Sequence, residues 1–557
     1  MSFAELLEHV GGMGRFQFLY TALLALPVFM MASHNLLQNF TAATPEHHCL
    51  VHHDAIHEYQ NLTYEDLIKV SIPMDEKQKW EECLHFVNLQ WWLLNPNVTN
   101  VNRTEMKTEL CSDGWTYNRS IFPNTIVTEW NLVCASRTLK QMAQSLYMAG
   151  ILLGGIVFGG LSDRFGRRSL IIWCYLQMAA MGTATAFSPN FSFYCAFRFL
   201  TGMAFSGIVL NGVSLSVEWI PTKTRAIVGT LYGYVYTTGQ FILAGVAYLI
   251  RDWRWLQLTV SLPYFIFFFY SWWFAESARW LVMVGKQDQA VKELKRVARM
   301  NGKKEAADKL NTETLRLKMK EEIATSTAKH NYTITDMVRT PTMRRISCCL
   351  SVVWFSTSFA YYGLVMDLQN FSTNIYVIQM IFGAVDFPAK TISVLTISFI
   401  GRRFTQAVTL ILAGMAIIAN IFVPQDMQIL RTVFAVFGKG CLAASFNCVY
   451  LYTGELYPTV LRQTGMGLTN TMARLGGMIA PVTKMTGEFI PFLPLVIYGV
   501  APIVSGIAAA FLPETLNVPL RESIEQVEIQ SQLRKEEKKQ AKALLSSTKP
   551  EMEKTAS

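Results

Sequence analysis

The chain reads as an all-α polytopic membrane protein: twelve transmembrane helices in two six-helix bundles, with a small extracellular domain. Composition is the first observation behind this, since 51% of the 557 residues are apolar and only 16% charged, which favours a membrane protein over a pair of soluble domains. Hydropathy is the second: about twelve stretches of roughly 20 mostly apolar residues can be marked, the length that crosses the hydrocarbon. The third is an internal repeat. Val217 to Arg225 matches Gly454 to Arg462 at Glu, Pro, Thr and Arg, and each pair (218/455, 221/458, 222/459, 225/462) is 237 residues apart. Gly166-Arg167-Arg168 recurs as Gly401-Arg402-Arg403 at an offset of 235, and Glu276-Ser277 as Glu514-Thr515 at 238. Matches this close to one period imply two similar halves in tandem.

Residues 1–15 are a short, partly amphipathic lead placed in the cytoplasm. The apolar run Phe16 to Leu37 is too long for a signal-peptide core and has no basic leader or small-residue cleavage site, so it is a retained first helix opening a bundle over 16–280. Residues 39–139 form the extracellular domain inside that bundle. From Asn39 to Arg137 there are 13 acidic against seven basic residues. Sequons begin at Asn39, Asn61, Asn97, Asn102 and Asn118, and Cys49, Cys83, Cys111 and Cys134 allow two disulfides in any of three connectivities. Together they imply an oxidising, extracellular side. His47, His48, His52, His53 and His57 lack the spacing of a structural zinc site and are expected on a solvated polar surface. The other six cysteines lie in apolar spans as packing residues.

A second apolar span, Gln141 to Gly160, leads into a tight cytoplasmic turn with Asp163, Arg164, Arg167 and Arg168. Further spans follow at about 169–188, 191–216, 227–250 and 256–274. Residues 281–345 are a cytoplasmic linker, expected to be helical from Gln287 to Lys320. After Arg279 and up to Arg345 it has 15 basic and eight acidic residues. The cation bias of the short loops puts both termini inside. The second bundle occupies 346–512, with spans at about 346–366, 373–399, 404–424, 428–452, 464–486 and 491–512. Residues 513–557 turn polar and are expected to be a disordered cytoplasmic tail.

No Walker A, haem, thiol-pair or hydrolase signature is present, so neither an ATP-driven pump nor an enzyme has support, and no cofactor or metal is implied. The net charge of +9 resides mostly in the loops placed in the cytoplasm and is no sign of nucleic-acid binding. The informative residue is Arg474, with no other charge between Arg462 and Lys484. A guanidinium at that depth costs a few kcal/mol or more in lipid, so it should face protein or a water-filled cavity. At the 237-residue offset it falls opposite Thr237, so the cation is where the halves differ. Asp386 and Lys390, at i and i+4, have the spacing of an ion pair, the alternative being that Lys390 binds an anion. Lys439 is a further intramembrane cation. Arg198, near the outer end of its span, is put down to snorkelling.

Aromatic residues crowd the facing segments: Tyr232, Tyr234 and Tyr236 in the fifth span, Trp354, Phe355, Phe359, Tyr361 and Tyr362 in the seventh, Phe446 and Tyr450 in the tenth. Such stripes usually serve as core or interface belts. Opposite a lone cation they make an amphipathic pocket, with rings for an apolar body and a guanidinium for a carboxylate.

The segments Gly159 to Arg168, Val217 to Arg225, Glu276 to Trp280 and Glu455 to Arg462, with the cysteine-bearing loop after the first span, resemble the major facilitator superfamily. Within it, Ser358 to Leu364, Phe382 to Asp386 and Leu456 to Gly467 are similar to the organic anion transporters of the solute carrier 22 family. The resemblance implies a plasma-membrane carrier that exchanges small amphipathic organic anions for intracellular dicarboxylates such as 2-oxoglutarate by alternating access. Membrane lipids and chloride are its further candidate partners. It places Asn35, Tyr236, Trp354, Tyr361, Tyr362, Lys390, Phe446 and Arg474 at the cavity, to which Tyr232 and Asn447 are added as neighbours. Asp163, Arg164, Arg167, Arg168, Glu218, Arg225, Glu276, Arg402, Arg403, Glu455 and Arg462 would work the inner-face gate. Related cation transporters have an acid where Arg474 stands, so an organic cation or zwitterion carrier is the alternative. A receptor using the outer domain is a third reading, disfavoured by the repeated inner-face motifs. Asn331-Tyr332-Thr333 is a sequon in the linker; with this topology it stays unmodified, and a glycopeptide map recovering a glycan there would invert the assignment of sides.

Overall fold

Backbone polar groups find no water inside hydrocarbon, so each apolar stretch satisfies its hydrogen bonds internally as a helix. The computed structural model describes residues 3–51, 63–75, 78–94, 107–221, 224–310, 334–366, 368–371, 374–424, 426–458, 461–518 and 523–533, together with 521, 536 and 540. The first half contains α1 (Arg15–Leu36), α2 (Leu139–Phe165), α3 (Arg167–Ala186), α4 (Phe191–Trp219) and α5 (Arg225–Leu249), then α6 (Trp253–Ser261) and α7 (Pro263–Ser271). These last two share one apolar stretch, divided where Pro263 removes a backbone donor. The second half contains α8 (Pro341–Val365), α9 (Ile375–Phe399), α10 (Arg402–Phe422), α11 (Gln428–Leu456), α12 (Arg462–Met485) and α13 (Leu493–Ala510). Nine helices among the described residues are long and apolar enough to cross a membrane by length and composition.

The halves have separate cores that merge toward one end. Phe16, Tyr20, Trp219 and Phe274 pack in the first half together with Leu294 of the linker. Nearer the cysteine-bearing segment, Leu36, Leu37 and Phe40 of the first half join Trp354, Tyr361, Leu364 and Phe382 of the second. At this end Asn39 Nδ2 donates to Val365 O at 3.0 Å, Thr44 N to Gln369 Oε1 at 3.0 Å and Arg137 Nε to Glu488 Oε1 at 2.9 Å. Phe40 stacks on Tyr376 across the same seam. Disulfides join Cys49 to Cys111 and Cys83 to Cys134.

At the opposite end the repeated motifs turn out to be helix caps. Gly166 (φ 94°) and Gly401 (φ 118°) each reverse the chain with a single residue in a conformation that suits glycine. The Glu276 carboxylate accepts the Arg167 and Arg168 backbone N–H groups, and Glu514 accepts those of Arg402 and Arg403. An acid there meets the positive end of the helix dipole. Burial pushes the Glu276 carboxyl above the usual carboxylate range, against the backbone N–H groups of Ser277, Arg168 and Arg167. Glu514 is also raised by burial, but four backbone N–H groups outweigh this and hold it below that range. Arg167 pairs with Asp163 at 2.9 Å and Glu218 at 3.8 Å, and Arg402 pairs with Glu455 at 2.9 Å, so these ion pairs close within one half. Arg225 Nε donates to Ile220 O at 3.0 Å, Arg168 reaches the Trp272 carbonyl, and Arg164 lies over the Phe165 ring.

Several expectations are corrected. A helical turn, Gln38–Thr41, continues the first span, so the outer domain starts after Thr41. Asn39 is therefore buried with its amide nitrogen bonded to Val365 O, which removes the acceptor a glycan would need. Asn118 is exposed; Asn61, Asn97, Asn102 and Asn331 lie outside the described residues, as do His52, His53 and His57. His47 is buried, paired in a short strand with Tyr117 and bonded to Pro45 O, rather than solvated. Asp163 and Arg164 lie in the last turn of α2, leaving Gly166 to make the turn. The linker helix breaks at Met300 and resumes over Lys304–Lys309, with 311–320 outside the described residues; at the break Asn301 accepts Phe16 N and donates to Val10 O, docking the linker on the start of α1. The tail is helical over 524–533, with Val527 inserted against Leu456 and Tyr457 and Glu528 accepting from Thr342.

Gly401→Ala puts a side chain at positive φ, which costs about 1–2 kcal/mol, and its Cβ would collide with the Glu514 carboxylate. Thermal unfolding of detergent-purified protein should show a lower midpoint for Gly401→Ala and Gly166→Ala, whereas Gly454→Ala, with open space around it, leaves it unmoved.

Candidate functional site

Arg474 lies midway along α12, with 12 residues back to Arg462 and 11 on to Met485. Its neighbours Gly476 and Gly477 face α8, where a Cβ would meet Phe355 O or the Tyr362 ring, so α12 lies close against α8. The side chain then crosses to the first half. Its NH1 donates to Ile151 O of α2 at 3.1 Å and to Ser206 Oγ of α4. Gly155 of α2 makes this possible, because a Cβ there would stand inside the guanidinium. Among the described residues no carboxylate forms an ion pair with Arg474, whose partners are that carbonyl and that hydroxyl. The guanidinium thus has neutral acceptors and keeps part of its surface accessible.

Lys390 is held in the same manner. Its Nζ donates to Gly233 O at 2.9 Å and Thr237 Oγ1 at 2.8 Å on α5, across the seam. Thr237 is the residue that the internal repeat sets opposite Arg474. The expected i, i+4 pair with Asp386 is not formed. Asp386 is salt-bridged to Lys439 of α11, itself fully buried and also bonded to Phe382 O, and accepts Gln240 Nε2 of α5 at 3.2 Å. The two charges of that cluster neutralise each other, while Gln240 Oε1 is left without a partner among the described residues.

The aromatic residues divide into those that line the space and those that support it. Asn35 Nδ2 of α1 donates to the hydroxyls of Tyr236 at 2.9 Å and Tyr362 at 3.0 Å, tying one half to the other. Tyr361 meets Tyr362 and Phe446 edge-on at 5.5 and 5.4 Å. Trp354 is buried, donates Nε1 to Thr453 Oγ1 at 2.9 Å and is met edge-on by Tyr450 at 4.6 Å. Tyr450, six residues before the end of α11, stays 50% exposed. Tyr236, Tyr362 and Phe446 are likewise partly exposed. Two candidates fall outside this group: Tyr232 bonds Ser216 Oγ within the first half, and Asn447 bonds Ser393 Oγ within the second.

Sequence reasoning missed Ser206, Gly155 and Gln240, small or neutral residues in apolar helices, and named Thr237 only as the repeat counterpart of Arg474, not as a partner of Lys390. It also misread Arg198. That side chain is 1% exposed, with its guanidinium 4.1 Å from the Tyr147 ring centroid and its nitrogens without a hydrogen-bond partner among the described residues, so it does not snorkel.

Residues 94–527 match the family described as sugar (and other) transporter. Solute carrier family 22 member 6-A of Xenopus laevis is 58% identical over 95% of this chain and 94% of its own length. Organic anion transporter 3 of Homo sapiens is 54% identical over the same shares. Among solved structures, the xylose transporter XylE from E. coli in an inward open conformation superposes with a TM-score of 0.56 at 16% identity, covering 74% of this chain and 92% of that one. Its partially occluded inward open conformation gives 0.57 at 14% identity over 90% and 98%.

Removing one partner of a buried ion pair leaves an uncompensated charge and costs about 3–5 kcal/mol, while replacing both is often neutral. Lys439→Met should therefore lower thermal stability strongly, and Lys439→Met with Asp386→Leu should recover most of the loss; equal midpoints for the single and double variants would contradict the pairing.

Proposed function

The chain belongs to solute carrier family 22, and from that membership we propose that it exchanges small amphipathic organic anions for an intracellular dicarboxylate such as 2-oxoglutarate by alternating access. Its relatives are carriers, not enzymes. Membership and apolar helices make it a multi-pass membrane transporter.

The observation that carries the anion reading is Arg474 midway along α12, bonded to a carbonyl and a hydroxyl and, among the described residues, in no ion pair with a carboxylate. A substrate carboxylate or sulfonate binds a guanidinium through charge-assisted bonds about twice as strong as neutral ones, so it displaces Ser206 and Ile151. Lys390 offers a second cation on equally neutral acceptors, and a dicarboxylate has two charges for the two. Tyr236, Tyr362, Phe446 and Tyr450 supply ring surface for the apolar body, and Trp354 and Asn35 fix their orientation. Chloride is a further anion the same guanidinium can take. A cation carrier needs an acid in this space, and the nearby acid, Asp386, is committed to Lys439.

Arg474 and Lys390 both bridge the halves, so an anion that captures them also loosens the seam. Opening the disulfide-bearing end then requires parting Asn39 from Val365, Thr44 from Gln369 and Arg137 from Glu488. We place that end outside the plasma membrane, with both termini and the capped motifs in the cytoplasm; the two disulfides and the exposed Asn118 support this side. The gate charges act by holding helix ends rigid within each half while the halves rock.

Arg474→Ala should reduce uptake of a labelled aromatic carboxylate at least tenfold, the loss of a charged bond worth about 1.5–3 kcal/mol, with surface expression preserved. Gly155→Ala separates position from charge: it keeps Arg474 but pushes the guanidinium out of its seat, so uptake falls while thermal stability stays near that of the unaltered chain. Unchanged uptake by Arg474→Ala at equal surface expression would refute the assigned role.

A further inference from the structure

A small cavity of about 50 Å³ lies between the halves near the disulfide-bearing end. Lys140 and Gln144 of α2 line it from the first half, with Gln38 of the helical turn after α1; Tyr362 of α8 and Lys484 of α12 line it from the second. We propose that it is an outer subsite that takes the carboxylate or sulfonate head of an organic anion arriving from outside, before that anion reaches Arg474. The inference rests on the carrier reading above.

Chemistry and size support it together. Among the described residues the lining has two lysines and no carboxylate. Gln144 is 3% exposed, and neither amide atom of its side chain has a hydrogen-bond partner among the described residues. Gln38 donates to the Lys140 carbonyl and leaves its own Oε1 unpartnered. Lys140 is steadied by a 2.7 Å bond from its Nζ to Thr44 Oγ1, beside the point where Thr44 N meets Gln369. The volume is small beside the roughly 300–1,000 Å³ of pockets that enclose a drug-sized ligand, so the space suits a charged head better than a whole aromatic anion while this end is shut. The cavity widens when the halves part, because Lys140 and Lys484 belong to different halves. Lys484 is ten residues beyond Arg474 on the same helix, about 15 Å at 1.5 Å per residue. Tyr362 lines the cavity and also takes the Asn35 bond of the inner site. An anion thus meets a cation, then a shared tyrosine, then the second cation.

The test is transport from each side. In cells expressing Lys140→Gln/Lys484→Gln at matched surface density, the external KM for a labelled aromatic monocarboxylate should rise about five- to tenfold with a flatter salt dependence, as for a rim charge that guides encounter. Maximal uptake should change less than twofold, and the internal KM, from efflux of preloaded label, should stay put. Lys140→Arg/Lys484→Arg should restore the external KM. Equal external KM in the unaltered and Gln chains overturns the subsite, as does an equal rise on both faces, which marks a structural role. If the unaltered chain moves no anion from either side while reaching the surface, the carrier reading itself fails and the subsite falls with it.

Discussion

The arrangement depends on one bond set: a guanidinium at the middle of an apolar helix that is held, through one of its nitrogens, by uncharged polar atoms of the opposite bundle. Ser206 and the Ile151 carbonyl hold Arg474 in place, and in the proposed cycle these neutral bonds are the ones that yield to an anion. Had an acid stood there, the pair would be worth more and cost more to break. The contrast is within the same protein, where Lys439 and Asp386 form a closed ion pair that also accepts Gln240 and has no reason to open. Lys390 repeats the weaker pattern on Gly233 and Thr237. Two cations of one half are thus held by neutral atoms of the other, and under the proposed function ligand binding and the closure of the seam draw on the same groups.

The duplicated motifs serve the complementary purpose of rigidity. Glu276 and Glu514 each sit on the first N–H groups of a helix, beside a glycine at positive φ, at equivalent places in the two halves. Such caps keep the helix ends from fraying as the bundles move. Because the arginine–acid pairs close inside one half, the motif end can part without first breaking them. The seam is concentrated from the centre to the other end, where Phe40 stacks on Tyr376 and Asn39 donates to Val365 O.

The two-bundle architecture and Arg474 were legible in the sequence for a physical reason: both are violations of background, a 237-residue echo and a lone cation in an apolar helix. What surrounds Arg474 was not. Gly155 and Ser206 look like ordinary small residues of membrane helices, and only their distance to the guanidinium gives them meaning. Spacing alone put Asp386 with Lys390, but an i, i+4 relation only permits a contact. The buried acid went to Lys439, whose ammonium is fully enclosed, while Lys390 reached outward to α5. Arg198 was misjudged by counting residues from a helix end, when the Tyr147 ring and surrounding helices enclose it. Asn39 carried a valid sequon, yet the first helix runs one turn further than hydropathy marks and takes the amide into the seam.

The disulfide-linked domain is anchored chiefly to one bundle. Asn124 bonds Asp252, and Glu129 takes both the Trp253 indole and the Arg254 guanidinium, all at the start of α6 in the first half. It is therefore a passenger on that bundle, and an antibody fragment seated on it would ride along as a visible lever arm. Its tilt against a fixed marker on the other bundle would report each stroke of the cycle without having to touch the pore.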